Sequence, residues 1–265
     1  MKVALLAGGL GTRLREETEF RPKPMVPIGG KPILWHIMKT YAHYNHQDFV
    51  VCMGYRGDVI RQYFRDFETM NLDFTIKIGT ESVLTTHGSL EEAGWSVTVA
   101  DTGAETMTGG RLFRIRDRLG ADTFMCTYGD GVADVDIGKL VEFHKSHGKI
   151  ATMTAVKPVS RFGVLDIAAS GDIGHFREKP QADGWVNAGY FVFEPKIFDY
   201  LDADCVLEKE PLTNLSSENQ LVAYKHDGFW QPMDTYRETL MLNEMWAEGS
   251  APWMVWPSNP DSVVE

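Results

Sequence analysis

The run from Lys2 to Ala7 constrains this chain more than any other feature: it is short, apolar after its first residue, and closed at once by Gly8-Gly9-Leu10-Gly11. A run of that length bounded by glycines reads as a strand buried on both faces, the condition of a strand inside a parallel sheet. Apolar residues then recur at helical spacing from Pro32 to Tyr44, and Pro32 suits the first helical position because it has no N–H to leave unsatisfied. The alternation continues, predicting strands at Phe49 to Met53, Phe74 to Ile78 and Thr123 to Thr127, with helices at Asp58 to Phe67, Gly110 to Leu119 and Ile137 to His147. Past Ile150 come shorter strand-like runs at Thr152 to Val156, Val164 to Ile167 and Tyr190 to Phe193, before helical periodicity returns from Thr235 to Trp246. The expectation is an α/β fold, a doubly wound, mainly parallel mixed sheet, with a small substrate or oligomerisation lobe in its second half. A single domain over residues 1–256 is expected, followed by a mobile tail at 257–265.

The formal charge of -11 disfavours a nucleic-acid partner, because phosphate backbones recruit proteins chiefly through Lys and Arg. No apolar stretch approaches the roughly 20 residues that span a bilayer, so no membrane partner and a cytoplasmic location are expected. Cys52, Cys126 and Cys205 are odd in number, far apart and without metal-ligand spacing, and read as core thiols. Trp246, Trp253 and Trp256 suit either a core or an interface.

The glycine-rich segment sits where an open α/β sheet presents ligands to the carboxyl ends of its strands. Glycines let successive N–H groups approach phosphate oxygens without a Cβ in the way. A dinucleotide fingerprint starting at Gly9 would need glycine at Leu14, and a P-loop would need Lys then Ser or Thr where this chain has Thr12-Arg13. A tight strand-to-helix turn would account for the glycines taken alone. Close behind comes Arg21-Pro22-Lys23-Pro24-Met25, where two prolines leave Lys23 little backbone freedom. A rigidly presented lysine suits a triphosphate; a solvated loop lysine is the plain alternative.

Gly8-Gly9-Leu10-Gly11-Thr12-Arg13-Leu14 with Lys23-Pro24-Met25 resembles the signature of sugar-phosphate nucleotidyltransferases. The resemblance runs from Lys2 to about Trp256. Gly29 to Met38, Asp101-Thr102-Gly103, Met107 to Leu112, Tyr128 to Asp134 and Phe229 to Asp234 bring it nearest the branch that joins CTP to glucose 1-phosphate. It implies those two substrates, a nucleotide sugar destined for cell-surface polysaccharide, and a homo-oligomer. It implies nucleotide binding by Leu6, Ala7, Gly8, Gly9, Gly11, Thr12, Arg13, Lys23, Thr108, Gly109, Tyr128 and Gly129. Arg13, Lys23, Asp130 and Asp234 become the catalytic set, with Mg²⁺ on Asp130 and Asp234.

Read from the residues, Asp130 ends a strand-like run beside glycines and could be a turn aspartate, while Asp234 precedes the last helix and could be its N-cap. Glu178 and Lys179, on residues alone a surface pair, match the family's Glu-Lys-Pro element. With Asn187, Ala188 and Gly189 they become the sugar-phosphate end. Gly79 to Ala93 matches the family poorly, and Ala188 stands where a second glycine is expected. A different nucleoside triphosphate, or a phosphoalcohol in place of the sugar phosphate, therefore stays open. A non-catalytic nucleotide-sugar sensor would have no need for Arg13, Lys23, Asp130 and Asp234 together.

Overall fold

The computed structural model describes residues 1–11, 14–79, 83–159, 162–178 and 180–257. Among them one sheet holds seven strands: Lys2–Leu6 (β1), Asp48–Met53 (β2), Ser96–Asp101 (β3), Phe124–Tyr128 (β4), Ala151–Val156 (β5), Val186–Phe193 (β6) and Leu221–His226 (β7). Their spatial order is β7-β5-β6-β4-β1-β2-β3. Every neighbouring pair is parallel except those of β6, which runs antiparallel to both β4 and β5. The chain thus builds outward from β1 through β2 to β3, then returns to the other side of β1 for β4. That reversal opens a crevice at the carboxyl ends of β1 and β4, the place where open α/β sheets bind ligands.

The strands alternate faces as a doubly wound sheet requires. Val3 and Leu5 join a core with Ile33, Leu34, Ile37, Met38 and Tyr41 of helix Ile33–His43, while Ala4 and Leu6 join a second core with Leu112, Ile115 and Leu119. Val3, Ala4 and Leu5 are wholly buried, which is why β1 is apolar without alternation.

Departures from the sequence expectation concern edges and boundaries. The strand expected at Phe74 to Ile78 exists as Asp73–Lys77, yet it pairs antiparallel with Val83–His87 in a hairpin outside the main sheet, all five of its residues exposed. The edge of the sheet belongs instead to β3, whose Ser96 and Thr98 face solvent while Ala100 is buried. A half-covered edge strand carries polar residues and lacks the continuous apolar run of a central one. The same reason hid β7, which forms the opposite edge. Pro32 is the N-cap and not the first helical residue, because it pairs with Pro27 in a short ladder before Ile33 starts the helix. The segments Asp58 to Phe67 and Gly110 to Leu119 each divide, into Gly57–Arg65 and Phe67–Asn71, and into Thr108–Arg114 and Arg116–Leu119. Trp253 and Trp256 are core residues, with Trp246 packed against them. Cys52 and Cys126 are buried, whereas Cys205 is only half-buried. Of the expected tail, residues 258–265 lie outside the described residues.

Candidate active site

The glycine-rich turn leaves β1 and the Tyr128-Gly129-Asp130 turn leaves β4, and the two are tied by a hydrogen bond from the Gly129 N–H to the Leu6 carbonyl at 3.1 Å. Between them lies a cavity of about 570 Å³ lined by Leu6, Gly8, Gly9, Gly11, Lys23, Pro24, Thr106, Met107, Thr108, Arg111, Tyr128, Gly129, Asp130, Glu208 and Asp234. Lys23 enters it from a one-turn 3-10 helix, Lys23–Met25, that the flanking prolines preset.

A two-residue turn cannot bring Asp130 and Asp234 together, so tertiary pairing does. The short strand Gly131–Ala133 runs antiparallel to Trp230–Pro232 with Gly131 opposite Pro232, and the Met233 N–H donates to the Asp130 carbonyl at 2.8 Å. Both carboxylates then converge on Lys23, whose Nζ lies 2.8 Å from Asp130 Oδ2 and 2.6 Å from Asp234 Oδ1. Burial by itself draws the Lys23 pKa down, but Asp130 and Asp234 outweigh it and the net shift is upward. The ammonium is therefore held charged. Asp234 is also relieved of capping duty. Thr235 caps helix Tyr236–Ala247 in a capping box with Glu238, and the Asp234 backbone N–H lies 2.7 Å from Glu238 Oε2.

A second cavity of about 240 Å³ adjoins the first and shares Tyr128, Asp130 and Asp234 with it, adding Gly131, Asn187, Ala188, Tyr190, Trp230 and Pro232. Asn187 donates to the Tyr128 hydroxyl at 3.0 Å and accepts from the Gly189 N–H at 2.8 Å. Gly189 has φ +81°, and a Cβ there would sit 2.4 Å from the Tyr128 ring, so only glycine serves. Trp230 donates its indole N–H to the Ala188 carbonyl at 2.9 Å, which fixes the wall of this smaller cavity.

Of the residues expected at the nucleotide end, Leu6, Gly8, Gly9, Gly11, Lys23, Thr108, Tyr128 and Gly129 line the larger cavity. Ala7 is buried behind it, its N–H bonded to the Cys52 carbonyl, and Gly109 packs against Cys205. At the sugar end Asn187 and Ala188 line the smaller cavity, Gly189 backs the Tyr128 ring, and Glu178 is exposed after strand Ile173–Arg177. Thr12, Arg13 and Lys179 lie outside the described residues.

Two charged lining residues, Glu208 and Arg111, were given no role by the sequence reading. Glu208 accepts from Thr108 Oγ1 at 2.6 Å and from the Tyr128 hydroxyl, so its carboxylate faces the cavity. Burial, then Glu208, push the Tyr128 pKa far up and keep it a phenol. In Leu207-Glu208-Lys209-Glu210-Pro211 nothing distinguishes Glu208 from a solvated charge. Arg111 stood inside a quoted motif without a role.

A sequence model of the nucleotidyl transferase family matches residues 2–231. The chain belongs to that family. Glucose-1-phosphate cytidylyltransferase of Salmonella typhimurium is 49% identical over 259 residues, covering 97% of this chain and 100% of the relative. A Bacillus subtilis protein named "Probable glucose-1-phosphate cytidylyltransferase" is 43% identical over 262 residues, with 97% and 100% coverage. Among solved structures, HddC from Yersinia pseudotuberculosis superposes with a TM-score of 0.66 at 23% identity, covering 92% of this chain and 99% of its own, a likeness of fold. In this nucleotidyl transferase, then, two cavities meet at two carboxylates that hold one lysine between them, at the crevice its topology opens.

Proposed function

We propose that this nucleotidyl transferase joins CTP to α-D-glucose 1-phosphate, forming CDP-glucose and pyrophosphate. The observation that carries the reading is the junction: a larger and a smaller cavity share Tyr128, Asp130 and Asp234, so two ligands bound side by side would meet at Lys23. The larger cavity takes the nucleotide, its triphosphate over the glycine-rich turn, and the smaller one takes the pyranose against Asn187 and Ala188. The named cytidylyltransferase relatives supply the choice of base and sugar.

The reaction is in-line attack by a non-bridging oxygen of the sugar phosphate on the α-phosphorus. That oxygen is already anionic, so no general base is required. Alignment and charge neutralisation are the large terms, and Lys23, charged and held on a short rigid turn, serves both. Arg13 is assigned to the departing pyrophosphate and Lys179 to the sugar phosphate. Asp130 and Asp234 are assigned to Mg²⁺, and their chemistry fits: two hard oxygen donors already converge on one cation, Lys23 Nζ, and Mg²⁺ takes one or two carboxylates with phosphate oxygens and water. When bound, the ion supplies Lewis-acid polarisation and a template for the phosphates.

The test is a pyrophosphate-release screen crossing four nucleoside triphosphates with several sugar 1-phosphates in Mg²⁺. Release is expected only with CTP and a hexose 1-phosphate together, glucose 1-phosphate being best. Faster turnover with UTP or dTTP would remove the base assignment and leave the reaction class standing.

Self-association belongs to the same proposal. Phe74, Ile76 and Leu84 on one hairpin, and Leu165, Ile167, Ile173 and Phe176 on another, are exposed apolar side chains of the kind that oligomers cover. A monomer by light scattering would remove it. No helix among the described residues is long and apolar enough to cross a membrane; a cytoplasmic place and a role in cell-surface polysaccharide supply complete the proposal.

A further inference from the structure

Arg111 is 4% exposed, yet every hydrogen-bond partner of its guanidinium is neutral. Nη1 donates to the Met53 carbonyl at 3.0 Å, to Thr102 Oγ1 at 2.7 Å and to the Gly103 carbonyl at 2.8 Å. Nη2 donates to the Gly8 carbonyl at 2.9 Å and to the Ala104 carbonyl at 3.3 Å. Among the described residues no carboxylate lies within ion-pair distance of it. Burying a guanidinium without a counter-ion is expensive, and five neutral acceptors offset that cost here. What the guanidinium does that no apolar group can do is grip the carboxyl ends of β1, β2 and β3 at once, through Met53 at the end of β2 and through residues that follow β1 and β3.

The grip on Gly8 has a directional consequence. The Gly8 carbonyl also accepts from the Tyr55 N–H at 3.2 Å, so both its lone pairs are used and its orientation is set. That carbonyl shares a planar trans peptide with the Gly9 N–H, and in such a unit the two groups point opposite ways. Gly8 cannot carry a side chain beside this grip, since a Cβ on it would lie 2.1 Å from Arg111 Nη1. Gly9 lines the cavity, is exposed, and its N–H bonds to none of the described residues.

We propose that Arg111 is a positioning residue that aims the Gly9 N–H at the triphosphate by holding the Gly8 carbonyl from the opposite side. The proposal rests on the reading of the glycine-rich turn as the triphosphate site. Arg111 acts through backbone geometry, so its charge alone does not suffice: a lysine keeps the charge but cannot fork between Gly8 and the ends of the two neighbouring strands.

The experiment is calorimetric titration, in Mg²⁺, of wild type, Arg111→Lys and Thr102→Val with CTP and with cytidine, alongside thermal melts. Thr102→Val is the gentle variant, removing one acceptor that steadies the guanidinium. Arg111→Lys is expected to weaken CTP at least tenfold and cytidine less than about twofold, with Thr102→Val giving a smaller loss in the same ratio. A purely structural role would not move that ratio. If Arg111→Lys fails to fold, Thr102→Val decides by the same criterion. Equal loss of CTP and cytidine, or no loss of either in a folded variant, overturns the proposal. Should the wild type prefer another nucleotide, the base assignment fails, and the same comparison with that triphosphate and its nucleoside still tests Arg111. A wild type that binds no triphosphate overturns both readings.

Discussion

Lys23 and His36 are both basic and both buried, and the regions around them have opposite electrostatic outcomes. Lys23, 8% exposed, sits between Asp130 and Asp234 and is held charged. His36, wholly buried, is ringed by Trp35, Trp246, Trp253 and Trp256 with centroids 4.7 to 6.4 Å away. An indole N–H can only donate, so Trp253 at 3.3 Å makes His36 Nδ1 an acceptor, and Nε2 donates to the Ile28 carbonyl at 2.9 Å. Burial drives its pKa down to about 4. The desolvation penalty acts on both; the partner decides which group keeps its proton. One region stores a cation between two carboxylates, and the other holds a neutral imidazole that fastens the chain's last described segment to helix Ile33–His43.

The largest effect should come from the carboxylates. Asp130→Asn and Asp234→Asn should each lower turnover a hundredfold or more, about 3 kcal/mol in the barrier, with the fold kept, as circular dichroism and steady-state rates would reveal. Nearly full activity in Asp234→Asn at low Mg²⁺ would make the Lys23 region as structural as the His36 region, and the contrast would collapse.

Acid should separate the two regions next. The folded pKa of His36 lies near 4 against about 6.5 in an unfolded chain, so on acidification the unfolded state takes the proton first. His36 therefore costs nothing above pH ~6.5, and its contribution falls progressively to a loss of about 3 kcal/mol near pH 4. His36→Phe should be less stable than wild type at neutral pH, having lost two hydrogen bonds, and should lose less between pH 7 and pH 4.5 in urea titrations. Parallel acid curves for the two proteins would contradict a neutral His36.

Lys23→Ala should chiefly lower kcat, because the charge it offsets grows as the bond to pyrophosphate breaks, while Lys179→Ala should chiefly raise the KM for the sugar phosphate. A lost charge-assisted contact of ~1.5–3 kcal/mol corresponds to roughly ten- to a hundred-fold in either parameter. Varying each substrate in turn would check this; an unchanged kcat in Lys23→Ala would leave Lys23 only a counter-ion. Smallest of all, Thr235→Ala should cost about 1 kcal/mol of stability through the lost cap. If Asp234 were the true cap, a melt would show Thr235→Ala to be silent.

Residues next to one another in the chain were the legible part of the site. The glycine-rich turn and the proline-flanked Lys23 announce themselves because local backbone chemistry shapes them. Glu208 was illegible, since its role comes from Thr108 and Tyr128, both distant in sequence. Asp234 was ambiguous for a similar reason: a lone acid before a helix reads as a cap, and only the observed Thr235–Glu238 capping box frees it for Lys23.

The continuous apolar runs of β1, β2 and β4 determined a central parallel sheet by themselves, because a strand buried on both faces has no freedom to be polar. Edge strands escape that constraint, so only the tertiary structure decided that Ser96–Asp101 completes the sheet and that Asp73–Lys77 leaves it. Charge was decided in the same place. The sequence alone contains Lys23, His36 and Arg111 as three basic side chains, and which stays charged among carboxylates, which is held neutral among indoles, and which grips three strand ends depends on neighbours that only folding brings within 4 Å.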